Sequence, residues 1–143
     1  MAKRLYVAGF CFSPELQRVV LIEKTKPKWQ KGKLNGVGGK IEPEEHPIDA
    51  MVREFYEETG VIIPAELWTQ FATISNDDWI VFFYKTVSDK VDEVRTTTEE
   101  HVNLFDLEML HSYNTVPNLQ WLIPMALQGD VLMGTILYNN DGT

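Results

Sequence analysis

Three glutamates in the middle of the chain are spaced so that their side chains can act together. Glu54, Glu57 and Glu58 stand at positions i, i+3 and i+4, which places all three carboxylates on one side of an α-helix. Like charges this close repel one another unless a cation lies among them, and hard divalent cations such as Mg²⁺ prefer oxygen ligands. A solvated acidic face has the same spacing, so the surrounding residues must decide between the two interpretations.

The residues that precede these glutamates favour a metal site. Gly38 and Gly39 allow backbone carbonyls and amides to approach a metal ion or a phosphate closely. Glu45 adds a carboxylate, and Arg53 is expected to pair with the glutamate four residues later and to hold it in position. Three glycines in the four residues 36–39 also predict that this stretch is neither an ordinary strand nor a helix interior.

The order of these residues resembles the Nudix box. Gly39, Glu45 and residues 53–61 (REFYEETGV) occupy every defined position of the box, with Phe55 where the family more often has an aliphatic residue. The resemblance implies an α/β fold, the Nudix α/β/α sandwich with a mixed sheet, in which the box forms a loop-helix-loop motif. It also implies an enzyme, a nucleotide diphosphatase in which water attacks phosphorus and cleaves a phosphoanhydride bond with the help of divalent metal ions.

The resemblance implies roles for individual residues. The implied metal ligands are three carboxylates of the helix and one backbone carbonyl: Glu54, Glu57, Glu58 and Gly39. Glu99 or Glu100 is the acid that family members often recruit from a later loop, and Arg53 completes the catalytic set. Any of these glutamates is a candidate for the general base that accepts a proton from water. The implied cofactor is Mg²⁺, for which Mn²⁺ can substitute.

Outside the box the chain is most similar to the branch that contains oxidised-purine nucleoside triphosphatases and MutT-like nucleotide pyrophosphohydrolases. Residues 33–40 (KLNGVGGK) resemble the lead-in to the box in that branch. The resemblance implies that Asn35 hydrogen-bonds the base and that Gly38, Gly39 and Lys40 lie beside the substrate. The expected reaction converts a (d)NTP and water to (d)NMP and pyrophosphate, a reaction that can sanitise the nucleotide pool.

The segment expected to close the base pocket departs from that branch. Val116, Asn118 and Leu119 stand where the human oxidised-purine enzyme offers a tryptophan and two aspartates to the base. Asn118 carries both a donor and an acceptor, so the base is expected to be read, but in another way. Trp29 is expected either to stack on a base or to cap the core. It lies in the loop 24–33 with five lysines, of which one or two are expected to steer or clamp the phosphates.

Two other functions stay open on the sequence alone. The same metal chemistry can act on ADP-ribose, on a dinucleotide or on a capped RNA end, although enzymes of that kind often carry added elements, of which the sequence shows none. The third candidate is a nucleotide-binding module that has kept the fold and lost catalysis. Such modules typically lose carboxylates of the box, and all of them are present here.

Hydrophobic periodicity predicts the elements that position these residues. Residues 47–59 form the clearest helix, with Pro47 in its first turn and Gly60 just past its end. A second helix is predicted at residues 121–128, with Pro124 in its first turn and a glycine closing it. The predicted strands, of which the first two form a hairpin, cover residues 5–12, 19–22, 68–74, 80–87, 101–107 and 131–138.

Composition limits the functions that the chain can have. Its 143 residues suit a single domain over residues 1–143, and a hydrophobic content of 44 % suits a globular protein that buries a core. A net charge of -8 argues against a long nucleic acid as partner, and no stretch is long enough to span a membrane. The lone Cys11 excludes an internal disulfide and is expected in the core. We therefore expect a cytoplasmic protein, monomer or homodimer, whose partner is a small nucleotide.

Overall fold

A computed structural model of the chain describes residues 3–129 and the backbone of residues 132–133, and its strands form one mixed sheet. The strands are β1 (Arg4–Phe12), β2 (Arg18–Glu23), β3 (Leu34–Asn35), β4 (Val37–Lys40), β5 (Thr69–Ser75), β6 (Trp79–Val87), β7 (Val102–Asp106) and β8 (Leu132–Met133). Their order along the sheet is β3-β2-β1-β6-β5-β8, while β4 pairs with β1 and β7 pairs with β2. Within the described residues, no helix has the length and apolar character needed to cross a membrane.

The centre of the sheet is the parallel pair β1 and β6, which stay in register from Arg4 opposite Trp79 to Phe12 opposite Val87. Since β6 occupies one edge of β1 along its whole length, two antiparallel strands share the other edge. Strand β2 pairs near Phe12 and forms the predicted hairpin, and β4 pairs with residues 6–9 of β1. This arrangement brings the glycines of β4 to the middle of the sheet.

Two helices cover the two faces of the sheet, α1 (Pro47–Thr59) and α2 (Leu119–Gln128). Neighbouring side chains of β2 show the separation, because Val19 packs in the core cluster that contains α2 and Val20 packs in the cluster that contains α1. Cys11 is buried in the core, as predicted, and belongs to the cluster that contains α1. Burial raises the pKa of its thiol to about 12. The predicted α/β/α sandwich is confirmed.

Helix α1 has the bounds that the sequence pattern predicts. Pro47 occupies the first turn, and Gly60 has φ 78°, the left-handed conformation in which its N–H donates to the carbonyl of Tyr56 at 2.8 Å. Phe55, where the box more often has an aliphatic residue, is fully buried and packs edge-on against Trp68, with 5.3 Å between the ring centroids. Phe55 thus belongs, with Ala50 and Met51, to the buried face of α1.

The structure corrects two predicted elements and agrees with most of the others to within one residue. Residues 36–39, predicted to be irregular, include most of β4, because the ladder with β1 supplies hydrogen bonds and neighbouring groups fill the space of the missing side chains. Pro124, predicted in a first turn, lies inside α2, because that helix begins earlier than predicted, at Leu119. The predicted final strand, residues 131–138, lies outside the described residues except for β8.

Candidate active site

Gly39 in β4 and Glu54 in α1 lie in direct contact. A Cβ atom on Gly39 would be 2.5 Å from Oε2 of Glu54, so only glycine lets this carboxylate reach the backbone of the strand. The Glu54 side chain is only 12 % exposed. The spacing of the three glutamates also allowed a solvated acidic face, and the burial of Glu54 argues against that interpretation for this carboxylate. Gly38 is restricted as well, because a Cβ there would overlap the backbone carbonyl of Val7 in β1. Gly39 therefore lets β4 and α1 approach each other, and Gly38 lets β4 lie close to β1.

The guanidinium group of Arg53 ties three parts of the site together. Its Nε and Nη2 atoms donate to the two carboxylate oxygens of Glu45 at 2.8 and 2.9 Å, and Nη2 also donates to the carbonyl of Lys40 at 3.1 Å. Its Nη1 atom donates to Glu54 at 2.9 Å and to Glu57 at 3.2 Å, so the expected pair with Glu57 is confirmed. The forked group thus connects the loop before α1, the end of β4 and two carboxylates of the helix.

The surroundings of these carboxylates shift their pKa values in opposite directions. Hydrogen bonds from Arg53 hold the pKa of Glu45 below its usual value. Burial raises the pKa of Glu54, an effect that Arg53 opposes and that the charges of Glu57 and Glu58 reinforce. Burial also raises the pKa of Glu58. Carboxylates whose charged forms are disfavoured in this way are stabilised by a nearby cation.

Glu100, in the loop before β7, is the later acid that joins this cluster. Its side chain is 8 % exposed, and its charge adds to the rise in the pKa of Glu58. Oε2 accepts hydrogen bonds from the backbone N–H of Thr25 at 2.8 Å and from its hydroxyl at 3.2 Å, while Oε1 pairs with Nζ of Lys24 at 3.3 Å. Glu99 is exposed and accepts a 3.4 Å hydrogen bond from the same hydroxyl. Of the two acids that the sequence left open, Glu100 is the one beside the box.

Two threonines of this cluster were not found from the sequence, and Lys24 was expected only as one of five lysines that could bind phosphates. Thr98 donates its hydroxyl to Oε2 of Glu58 at 3.0 Å, and Lys24 and Thr25 both hold Glu100. For Thr98, the sequence did contain a signal. It is the last of three threonines directly before the two acids, and hydroxyl groups beside carboxylates are suited to bind them.

The loop between β2 and β3 carries Trp29 and most of the lysines. Trp29 is 36 % exposed in a short 3-10 helix (Lys28–Gln30), which disfavours its alternative place as a cap on the core. Lys24 reaches the carboxylate cluster, whereas three other lysines of the loop are exposed: Lys26, Lys28 and Lys31. Lys40 is also exposed, at the end of β4.

The two asparagines predicted to read a base lie on segments that hydrogen-bond to each other. Leu34 in β3, next to Asn35, donates to the carbonyl of Asn114 at 2.8 Å and accepts from the N–H of Val116 at 2.9 Å. Asn118 directly precedes α2, and its Oδ1 atom is buried without a hydrogen-bond partner among the described residues. Buried acceptors are rarely left unpaired in proteins, and a donor group of a ligand can satisfy this one.

The side chain of Asn35 has hydrogen-bond partners within the chain, and two residues close to Asn118 in the sequence are buried in the core. Asn35 donates from Nδ2 to Oε1 of Gln30 at 3.2 Å, and its Oδ1 accepts the N–H of Gly36 at 2.7 Å. Val116 and Leu119, at the other two positions of the pocket-closing segment, are buried in the core cluster that contains α2. Of these three residues, Asn118 is the one that offers a polar side chain, as the sequence predicts.

Comparison with known proteins identifies the family to which this geometry belongs. The sequence profile of the NUDIX domain matches residues 2–124. The chain belongs to the Nudix family. It is a Nudix hydrolase, from a family of enzymes that act on phosphoanhydride bonds and generally use divalent metal ions.

Bacterial Nudix proteins resemble this chain over most of its length. An uncharacterised Nudix hydrolase of Bacillus subtilis, YvcI, is 26 % identical over 129 residues, which are 85 % of this chain and 79 % of that protein. The crystal structure of a MutT protein from Bacillus halodurans has a TM-score of 0.75 and 19 % identity, and the match covers 98 % of this chain and 93 % of that one. A bifunctional NMN adenylyltransferase/ADP ribose pyrophosphatase from Francisella tularensis, complexed with AMP and a Mn ion, has a TM-score of 0.69 and 14 % identity over 90 % of this chain and 42 % of its own. At these identities the two structures show a shared fold.

The acidic site of this Nudix domain offers hard donors that suit a divalent cation. Its oxygen donors come from five residues: Gly39, Glu54, Glu57, Glu58 and Glu100. Between residues 3 and 129, no three Asp, Glu, His or Cys side chains are oriented to hold one metal ion, since the carboxylates here face Arg53, Thr98 and Lys24. The close approach of Glu54 to Gly39 nevertheless fits a hard cation, which would take over contacts that these partners now make.

Proposed function

We propose that this Nudix hydrolase is a Mg²⁺-dependent nucleoside triphosphate pyrophosphohydrolase, which converts a (d)NTP and water to (d)NMP and pyrophosphate. The cluster of carboxylates around Gly39 suits the phosphate chain once cations are bound. The buried Oδ1 of Asn118, which has no hydrogen-bond partner among residues 3–129, carries the choice of a nucleotide, because an exocyclic amino group of a base is a donor of the kind that this atom needs.

The residues of the box have distinct tasks in this reaction. The proposed metal ligands are four carboxylates and a backbone carbonyl: Glu54, Glu57, Glu58, Glu100 and Gly39. When bound, divalent ions neutralise phosphate oxygens and lower the pKa of the attacking water. One of the four carboxylates accepts the proton of that water as the bond between the α- and β-phosphoryl groups breaks. Arg53 positions Glu54 and Glu57, because its donors are directed at carboxylates and at a backbone carbonyl.

ADP-ribose is the second candidate substrate, because the Francisella protein with the same fold is an ADP ribose pyrophosphatase. Both compounds contain a base and a pyrophosphate link, so the carboxylate cluster suits either of them. A triphosphate carries more negative charge than ADP-ribose, and the exposed lysines in the loop before β3 favour the more highly charged substrate. The triphosphate is therefore the preferred proposal.

The products of a substrate panel test this proposal. Purified protein and Mg²⁺ are incubated in separate reactions with each (d)NTP, with ADP-ribose and with a dinucleotide. The products of each reaction are identified by phosphorus NMR. We expect equal amounts of nucleoside monophosphate and pyrophosphate, and a kcat/KM for the best (d)NTP at least about tenfold above that for ADP-ribose, a difference of about 1.4 kcal/mol in transition-state binding. Release of a nucleoside diphosphate and inorganic phosphate from the (d)NTP would overturn the proposal. A higher kcat/KM for ADP-ribose than for every (d)NTP would overturn it as well.

A further inference from the structure

The hydroxyl group of Thr98 joins two carboxylate-bearing residues that are far apart in the sequence. It donates to Oε2 of Glu58 at 3.0 Å and accepts the backbone N–H of Glu100 at 3.1 Å. A hydroxyl can make both bonds at once, because it has one donor and two acceptor lone pairs. A single side chain therefore links the last turn of α1 to the loop that carries the later acid.

The same loop is attached to the end of α1 at two further points. Thr97 donates its hydroxyl to the backbone carbonyl of Glu57, and the N–H of Arg95 donates to the carbonyl of Thr59 at 3.0 Å. Carbonyls in the last turn of a helix have no partner within the helix, so these bonds satisfy them. Thr97 and Thr98 thus have different tasks, because Thr97 binds backbone and Thr98 binds a carboxylate.

Glu100 is fixed from its other side by the loop that follows β2. The backbone N–H of Thr25 holds its Oε2 atom at 2.8 Å, and the side chain is almost fully buried. Glu58, by contrast, is held by the neutral hydroxyl of Thr98. Two like charges so close repel each other, and a side chain without a fixed partner would turn toward solvent. The Thr98 hydroxyl is the contact that opposes this movement of Glu58.

We propose that Thr98 is a positioning residue that holds Glu58 beside Glu100, so that both carboxylates can bind the same divalent cation. This inference rests on the metal site assigned under the proposed function, but it does not depend on which substrate is cleaved. Residues that orient metal ligands typically change metal affinity by about tenfold to a hundredfold when they are removed. Since Thr98 is exposed, we expect an effect at the lower end of that range.

Binding of Mn²⁺ to the full chain, without substrate, tests the inference. Paramagnetic resonance of free Mn²⁺ gives the dissociation constant for the wild type and for Thr98→Val, Thr98→Ser and Thr97→Val, and thermal unfolding verifies that each variant folds. We expect the dissociation constant to rise about tenfold in Thr98→Val and to stay within about twofold in Thr98→Ser, which keeps the hydroxyl. Thr97→Val is the matched control, because it removes a neighbouring hydroxyl that binds only backbone, and its affinity should also stay within about twofold.

Two results from the variants would overturn the inference. The first is wild-type affinity in Thr98→Val, and the second is an equal loss in Thr97→Val, which would show that the hydroxyls act through the loop as a whole. If Thr98→Val does not fold, Thr98→Ala removes the same hydroxyl with less bulk and is held to the same expectation. A wild type that binds no Mn²⁺ also overturns the inference. A wild type that binds Mn²⁺ and yields no pyrophosphate from any (d)NTP contradicts the proposed substrate alone.

Discussion

Among the carboxylates of the box, Glu58 is held by a neutral hydroxyl, whereas Glu54 and Glu57 share the guanidinium of Arg53. We expect Glu58→Gln to lower kcat at least about a hundredfold while the protein still folds, because the change keeps the shape and removes a charge from the metal site. Glu57→Gln and Glu54→Gln should behave similarly. Steady-state hydrolysis of the preferred (d)NTP measures the effect, and Glu66→Gln, in the 3-10 helix Ala65–Leu67, is the control. Wild-type turnover in all three box variants would show that the acidic face is merely solvated.

The later acid can be assigned by a pair of adjacent substitutions. Glu100 is buried next to Glu58, and Glu99 is exposed. We therefore expect Glu100→Gln to lower kcat at least about tenfold and Glu99→Gln to lower it less than about threefold, since only the buried carboxylate adds to the charge at the site. The comparison is made at saturating Mg²⁺ and saturating substrate. The reverse order of effects would assign the role to Glu99.

If Asn35 and Asn118 read the base as proposed, replacing them should affect preference among bases more than turnover. Asn35 lies at the end of β3, and Asn118 has a buried acceptor that no residue in the described part of the chain pairs with. Each hydrogen bond to a base contributes about 0.5–1.5 kcal/mol, so replacing either residue by Ala should flatten the preference several-fold. The test compares kcat/KM for nucleotides with four different bases in Asn35→Ala and Asn118→Ala. Glu58→Gln is the reference variant, which should lower kcat/KM by the same factor for every base. Equal loss on every base in the two asparagine variants would show that they do not read the base.

At the scale of the elements, one ion pair fastens α1 to the loop that precedes it. Arg53 and Glu45 form two hydrogen bonds, and Arg53 lowers the pKa of Glu45. Because the pKa of Glu45 is lower in the folded state, its contribution to stability is present above the unfolded value of about 4.3 and is lost as the pH falls through the folded value. The link between loop and helix should therefore weaken in acid.

We expect Glu45→Gln to lower the free energy of unfolding by about 1–3 kcal/mol at pH 7, because it removes a charge-assisted pair. The difference from the wild type should shrink as the pH falls below about 4. Urea unfolding at the two pH values measures both effects. Glu44→Gln, an exposed residue of the same loop, should change stability by less than about 0.5 kcal/mol. A destabilisation of Glu45→Gln that is as large at low pH as at pH 7 would contradict the ion-pair explanation.

The elements also show what can be predicted from sequence. The bounds of α1 were predictable because Pro47 and Gly60 act locally at its two ends. Strand β4 was not, because its glycines are tolerated through neighbours from β1 and α1 that are distant along the chain. The box residues came together as predicted, since most of them lie on one helix and the strand that precedes it. The place of Glu100 depends on how a later loop folds against β2, which no local pattern records.

At the scale of the whole molecule, metal binding and stability should be linked. The chain carries a net charge of -8, and several of its carboxylates are concentrated at one site. We expect removal of divalent cations to leave the far-ultraviolet circular dichroism spectrum unchanged, because the sandwich is held by its two core clusters. Cation at ten times its dissociation constant should stabilise the fold by about 1.4 kcal/mol and raise Tm by about 4 °C. A rise of the same size in Glu58→Gln would place the bound cation elsewhere.

The central claim is that the carboxylate cluster around Gly39 is the divalent-metal site of a nucleoside triphosphate pyrophosphohydrolase. The most direct measurement is pyrophosphate release from the preferred (d)NTP by protein stripped with a chelator, as Mg²⁺ is added back. We predict no release above background without metal, full recovery with Mg²⁺ or Mn²⁺, and at most about one hundredth of that recovery in Glu58→Gln at the same concentrations. Full activity of the wild type after exhaustive chelation would contradict the claim.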